Sequence, residues 1–142
     1  MYARKEKNKM DKKVIVTGKA HYCFTSKVND KGNFPSNCYE VCVIPEKITG
    51  EDDAVSFFNT HFIKKNANTG VTYVRCANSK YPFKIFDKDN NRINSNIAIQ
   101  NDTTIAVAFE MKNKNGRDYL ICNGIKLKDD FKEYNPFNDF EF

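Results

Sequence analysis

The 142-residue chain has no long apolar run. The longest, Ile105 to Phe109, is five residues, where a membrane-spanning helix needs about 20. The start, Met1-Tyr-Ala-Arg-Lys-Glu-Lys, is basic but leads into no apolar segment, so no secretory signal is expected there. Histidine is scarce, with His21 and His61 alone, and there is no Gly-x-Ser-x-Gly turn, phosphate loop or dinucleotide fingerprint. These absences point away from an enzyme and from any cofactor. The five cysteines form an odd set, and none is spaced Cys-x-x-Cys. Reduced thiols, several buried in strands, in a cytoplasmic protein are expected.

Metal ligation fails on spacing. Asp87-Lys-Asp-Asn-Asn begins like a calcium loop, but the sixth position is Arg92 where glycine is needed and the twelfth is Ala98 where glutamate is needed. The segment reads as a turn. His21 and Cys23 with Cys38 and Cys42 could supply four zinc ligands in number. However, Cys38 and Cys42 lie about 13 Å apart along one strand, too far to share an ion bound at about 2.0–2.3 Å.

What the chain does have is charge, unevenly placed. The net charge is +5, from 19 Lys and 4 Arg against 18 acids. Residues 129–142 carry Asp129, Asp130, Glu133, Asp139 and Glu141 against Lys132, a net of −4, so residues 1–128 carry +9. A basic body attracts polyanions, and an acidic tail can compete with them for the same surface.

Residues 1–13 are Lys-rich and aperiodic and read as a flexible, disordered arm. Val14 to Phe24 alternates as a strand, with Gly18 marking a bend or bulge. Residues 25–37 read as a loop, with Phe34 its one large apolar residue. Tyr39 to Ile44 reads as a strand stopped by Pro45. Thr49 and Asp52 form a variant capping box ahead of a helix over about 51–65, whose apolar stripe is Ala54, Val55, Phe58, Phe62 and Ile63. Further strands are predicted at Val71–Ala77, Tyr81–Phe86, Thr103–Met111 and Asp118–Leu127, the last two joined by a turn at Asn115-Gly116. The chain is therefore expected to be all-β with one short helix, a small Greek-key OB barrel over residues 14–128. An acidic tail over 129–142 follows it.

Aromatic and basic residues are interleaved along the body, the pattern of a groove that tracks phosphates and stacks bases. The residues expected to line it are Lys19, Lys27, Tyr39, Tyr73, Arg75, Lys80, Tyr81 and Lys84. Tyr73 and Arg75 stand opposite the apolar set of their strand and so are expected side by side and exposed. Tyr39 shares its parity with Val41 and Val43, which argues for the core. The tail, Asn135-Pro-Phe-Asn-Asp-Phe-Glu-Phe142, is acidic and aromatic and ends in Phe beside its carboxylate.

That ending resembles the tails of phage and bacterial single-stranded DNA-binding proteins. Tyr81-Pro-Phe-Lys-Ile-Phe-Asp, Thr104-Ile-Ala-Val-Ala-Phe-Glu, Asn115-Gly-Arg-Asp-Tyr-Leu and Gly124-Ile-Lys-Leu are similar to the second half of a phage replication single-stranded DNA-binding protein with an OB fold. The likeness covers about residues 14–142, in a chain shorter than the larger phage members. It implies coating of single-stranded DNA during phage replication or recombination, in the cytoplasm of the host cell. It also implies a tail, with Asp139, Phe140, Glu141 and Phe142 as contacts, that recruits a replication protein such as a polymerase or helicase. A homodimer stays open. The alternatives are a small β-barrel interaction or virion module and an RNA-binding OB domain.

Overall fold

The structure is a computed structural model and describes residues 12–31 and 35–128. Most of the basic arm, Phe34 and the acidic tail lie outside the described residues. Strand β1, Lys13–Ala20, alternates strictly. Val14, Val16 and Ala20 face the core, and Ile15, Thr17 and Lys19 face outward. The strand begins at Lys13, and the Lys12 carbonyl accepts the Met111 N–H at 2.8 Å.

Strand β2, Tyr39–Gly50, pairs antiparallel with β1 and runs 12 residues, straight through Pro45. The expected stop at Pro45 is replaced by a bulge. Gly18 pairs with Pro45 and Thr17 with Lys47, so the register slips by one residue there. Gly18 makes the bulge possible, because a Cβ at that position would lie 2.0 Å from the Ile44 carbonyl oxygen. The long strand also claims Thr49, paired with Ile15. Thr49 is therefore not a helix cap. Helix α1 is Asp52–His61, with Glu51 at its N-cap and Asp52 and Asp53 in its first turn, where the helix dipole favours acids. It buries Ala54 and Phe58, and the Phe58 ring lies 5.9 Å from that of Phe109.

The chain then departs from the expected helix end. Lys64–Lys65 form a short strand β3, a hairpin with β4, Thr72–Ser79. The predicted strand at 81–86 shrinks to β5, Ile85–Phe86, because Pro82 and the turns around it cannot join a ladder. β6, Arg92–Ile93, pairs with β5 across a turn that Asp87 organises by accepting the N–H groups of Asp89 and Asn91, both at 2.9 Å. β7, Thr104–Lys114, and β8, Arg117–Leu127, form the long hairpin expected around Asn115-Gly116. A bulge at Asn123 shifts the β8 alternation, so Leu120 and then Ile125 and Leu127 can all face inward.

The hydrogen-bonded order is β3-β4-β2-β1-β7-β8-β5-β6. Strands β1, β2 and β4 are consecutive neighbours and β7 returns beside β1, which is the Greek key. The sheet curls until β4 and β8 face each other without a ladder. Asn78 Nδ2 on β4 bridges that seam to the Leu120 carbonyl on β8 at 2.8 Å. The result is a partly open barrel of OB type. Its core is Val14, Val16, Val41, Val43, Val74, Ile105, Val107, Phe109, Ile125 and Leu127, closed at one end by Phe58. All five cysteines are free thiols. Burial pushes Cys42 up to about 12 and Cys76 up to about 11, so both stay protonated.

Candidate nucleic-acid interface

The candidate surface is the outer face of β1, β2 and β4. Alternation puts Val41, Val43, Val74 and Cys76 inside and leaves Glu40, Cys42, Tyr73 and Arg75 on the other side. Register then fixes their neighbours. Lys19 on β1 lies between Thr104 on β7 and Ile44 on β2, and its Nζ donates to Thr104 Oγ1 at 2.6 Å. On β4, Tyr73 pairs with Lys64 on β3. Ile44 and Tyr73 are each one step past the Val43–Val74 pair. One outward row thus runs Thr104, Lys19, Ile44, Tyr73, Lys64, with a base on either side of a half-buried ring.

The next row along β4 holds Arg75, paired with Cys42. Its guanidinium is engaged. Nε donates to Glu40 Oε1 at 3.0 Å and Nη2 donates to Glu40 Oε2 at 2.9 Å. Glu40 is buried, and its carboxylate also accepts from Asn29 Nδ2 at 2.9 Å and Ser36 Oγ at 2.5 Å. Burial alone would raise this carboxyl's pKa. The bonds from Arg75, Ser36 and Asn29 outweigh burial and hold it below the ordinary glutamate value. Arg75 is exposed and beside Tyr73, as its parity requires, but it is half of an ion pair rather than a free cation.

The remaining expected residues fall in three places. Tyr39 is half-buried and packs against the core, so its ring is not presented on the outer face. Lys27 is exposed on the connection between β1 and β2, two residues from Asn29 and its bond to Glu40. Lys80, Tyr81 and Lys84 lie on the connection from β4 to β5. Tyr81 is 78% exposed there, and Lys84 points out between buried Phe83 and Ile85. The Lys84 carbonyl accepts the Ile125 N–H at 2.9 Å, which lays this segment along β8. Lys19, Tyr73 and Arg75 are therefore brought together on one sheet face. Lys80 and Tyr81 stand past the far end of β4, and Ser79 lies about 13 Å along the strand from Arg75. The tail contacts Asp139, Phe140, Glu141 and Phe142 lie outside the described residues. The last described residue, Lys128, donates its N–H to the carbonyl of Thr104, the β7 partner of Lys19, at 3.0 Å.

Sequence reasoning missed Lys64, which reads as a helix end, and the Glu40 cluster. An acid at an outward position of an otherwise apolar strand was the available signal for Glu40.

No family model and no curated protein sequence matches the chain. A barrel of this order, with a basic and aromatic outer face, falls in the class of oligonucleotide-binding folds. Among solved structures, the chain is similar to the single-stranded DNA-binding protein from bacteriophage Enc34. The TM-score is 0.56 at 13% identity, over 87% of this chain and 83% of that one. The same phage protein in complex with single-stranded DNA matches with a TM-score of 0.56 at 14% identity, over 86% of this chain and 88% of that one. The single-stranded DNA-binding protein gp2.5 encoded by bacteriophage T7 matches with a TM-score of 0.50 at 12% identity, over 87% of this chain and 94% of that one. The fold is thus shared with phage single-stranded DNA-binding proteins.

Proposed function

We propose that this protein binds and coats single-stranded DNA without strong sequence preference during phage DNA replication or recombination, and that it has no catalytic activity of its own. The observation that carries this reading is the outward row in which Lys19 and Lys64 flank Tyr73 on a barrel of OB type. A ring between two ammonium groups suits a base stacked between phosphates. Lys27, Lys80, Tyr81 and Lys84 extend the basic surface along the two connections, and Arg75 contributes through whatever acceptor it can reach beyond Glu40. The likeness to a phage protein solved with single-stranded DNA supports the same reading. In this proposal residues 14–128 are the DNA-binding body and residues 1–13 a basic arm. Residues 129–142 recruit a replication protein through Asp139, Phe140, Glu141 and Phe142 in the host cytoplasm.

Binding should be tested by fluorescence anisotropy on single-stranded DNA, duplex DNA and RNA of equal length. Single-stranded DNA should bind most tightly. If about four to five phosphates are neutralised, log K should fall against log salt with a slope near −3, from about −0.7 per phosphate. Tyr73→Ala should weaken binding by about 1–3 kcal/mol if the ring stacks on a base. A preference for RNA would make this an RNA-binding OB domain. Binding to none of the three would leave a protein-interaction module.

A further inference from the structure

Tyr22 combines two properties that folding alone does not select. It is 66% exposed, and its φ is 53°, in the left-handed region that aromatic residues rarely adopt. The conformation is imposed by bonds on both sides. β1 ends at Ala20, whose N–H donates to the Thr103 carbonyl at 2.9 Å and whose carbonyl accepts the Asp102 N–H at 2.8 Å. The Tyr22 N–H donates to Asn101 Oδ1 at 2.6 Å. Three residues on, buried Thr25 donates from Oγ1 to the Ile97 carbonyl at 2.8 Å and accepts the Ile99 N–H at 3.2 Å. The β1–β2 connection is thus stitched to the β6–β7 connection both before and after Tyr22. The ring meets only the edge of the His21 ring at 4.5 Å among the described ring contacts, and it stands clear of the hydrophobic core.

The position of this ring relative to the sheet gives it a use. The His21 N–H donates to the Cys42 carbonyl at 2.9 Å, and Cys42 pairs with Arg75. Tyr22 therefore follows directly on His21, whose row crosses the outer face through Cys42 to Arg75, two strand spacings or about 10 Å from His21. Glycine or asparagine would meet this backbone at lower cost. A strained, hydrogen-bonded segment that holds a large ring in water is an arrangement found at binding sites.

We propose that Tyr22 is a base-stacking residue just past the end of β1, with Asn101 as the positioning residue that aims it. The proposal rests on the single-stranded DNA reading above and adds a second stacking position to it, across the sheet from Tyr73.

The test uses the full chain, with oligo(dT) as the probe, and measures affinity and thermal stability together. Tyr22→Gly should melt at or above the wild-type temperature, because glycine adopts this φ freely and no core contact is lost. It should bind oligo(dT) about 5- to 150-fold more weakly, the range for one lost stacked base. Tyr22→Phe should keep wild-type affinity within about twofold, because the ring face and not the hydroxyl stacks. Asn101→Ala should weaken binding less than Tyr22→Gly, with the salt slope unchanged because no charge is lost. Tyr22→Gly binding as tightly as a wild type that itself binds would overturn the assignment of Tyr22 alone. Tyr22→Gly melting several degrees lower would make the ring a structural support and overturn it too. A wild type that does not bind oligo(dT) at low salt would instead overturn the single-stranded DNA reading, and this proposal with it.

Discussion

Arg75 grips the buried carboxylate of Glu40 with two parallel N–H donors, at 3.0 and 2.9 Å, in the middle of the outer sheet face. The pair joins β4 to β2, and Asn29 and Ser36 bring the β1–β2 connection onto the same carboxylate. It is a structural lock and a limit on the field of this surface at once. Arg75→Ala would leave Glu40 buried with two neutral donors. The Arg75 end is 42% exposed, which softens the loss to on the order of 2 kcal/mol. Urea melts should show that loss as a lower midpoint with an unchanged m-value. Glu40→Gln should act in the opposite sense on DNA. It frees one cation on the outer face, so affinity at low salt should rise and the slope of log K on log salt should steepen by about 0.7.

The same carboxylate links stability to acid. Its pKa is held below the ordinary value of 4.5, because the bonds from Arg75, Ser36 and Asn29 overcome burial. A group whose folded pKa is depressed contributes stability that is fully present above the unfolded pKa. That stability is lost as pH falls through the folded value. Glu110, bonded by Lys112, and Asp87, bonded by the Asn91 N–H, are also held below their ordinary values. Wild type should therefore lose melting temperature steeply below about pH 4.5. The Glu40→Gln variant should lose less across that window, so the two curves converge. Parallel curves would show that Glu40 is not the acid-sensitive group.

Most of the barrel was legible because alternation is a local signal. Val14 and Val16, and Val74 and Cys76, face inward as read, and the Asn115-Gly116 turn joins β7 to β8. The failures share a cause. Thr49 and Lys64 carry good helix-end chemistry, yet each was claimed by a strand partner outside its local window, Ile15 on β1 and Tyr73 across a hairpin. Pro45 ends strands by local rules but is tolerated where a bulge opposite Gly18 removes the need for its N–H. At the site, parity put Tyr73 and Arg75 side by side on the outer face, but Tyr73 is half-buried there and Arg75 alone is exposed. Parity could not find the Glu40 partner of Arg75, because that contact depends on the β2–β4 register.

The Gly18 bulge gives a sharp stability test. A Cβ at residue 18 would sit 2.0 Å from the Ile44 oxygen and 2.9 Å from its carbonyl carbon, both backbone atoms that cannot step aside. Gly18→Ala should force β1 and β2 apart at the point where both long strands cross the core. A loss of about 3 kcal/mol is expected, at the upper end of overpacking effects. Chemical denaturation should register it as a large midpoint shift. The neighbouring change Thr17→Ala, on the half-exposed outer side, should cost well under 1 kcal/mol.

Deletion of residues 129–142 should raise affinity for single-stranded DNA. The segment carries a net charge of −4 before its terminal carboxylate. It follows Lys128 in the chain, whose N–H is bonded to the Thr104 carbonyl, and the Thr104 hydroxyl accepts Lys19 Nζ. The proposed reading puts its acids within reach of the DNA row. On so short a tether their effective concentration at Lys19 and Lys64 is of millimolar order. In that reading they would compete with phosphates for the same ammonium groups, and the competition would weaken as salt screens both terms. The truncated protein should bind oligo(dT) more tightly at low salt, and its advantage should shrink toward zero at high salt. Phe142→Ala removes no charge, so it should leave DNA affinity nearly unchanged while weakening capture of a replication protein. Equal affinity of the full-length and truncated proteins at low salt would remove the tail as a competitor.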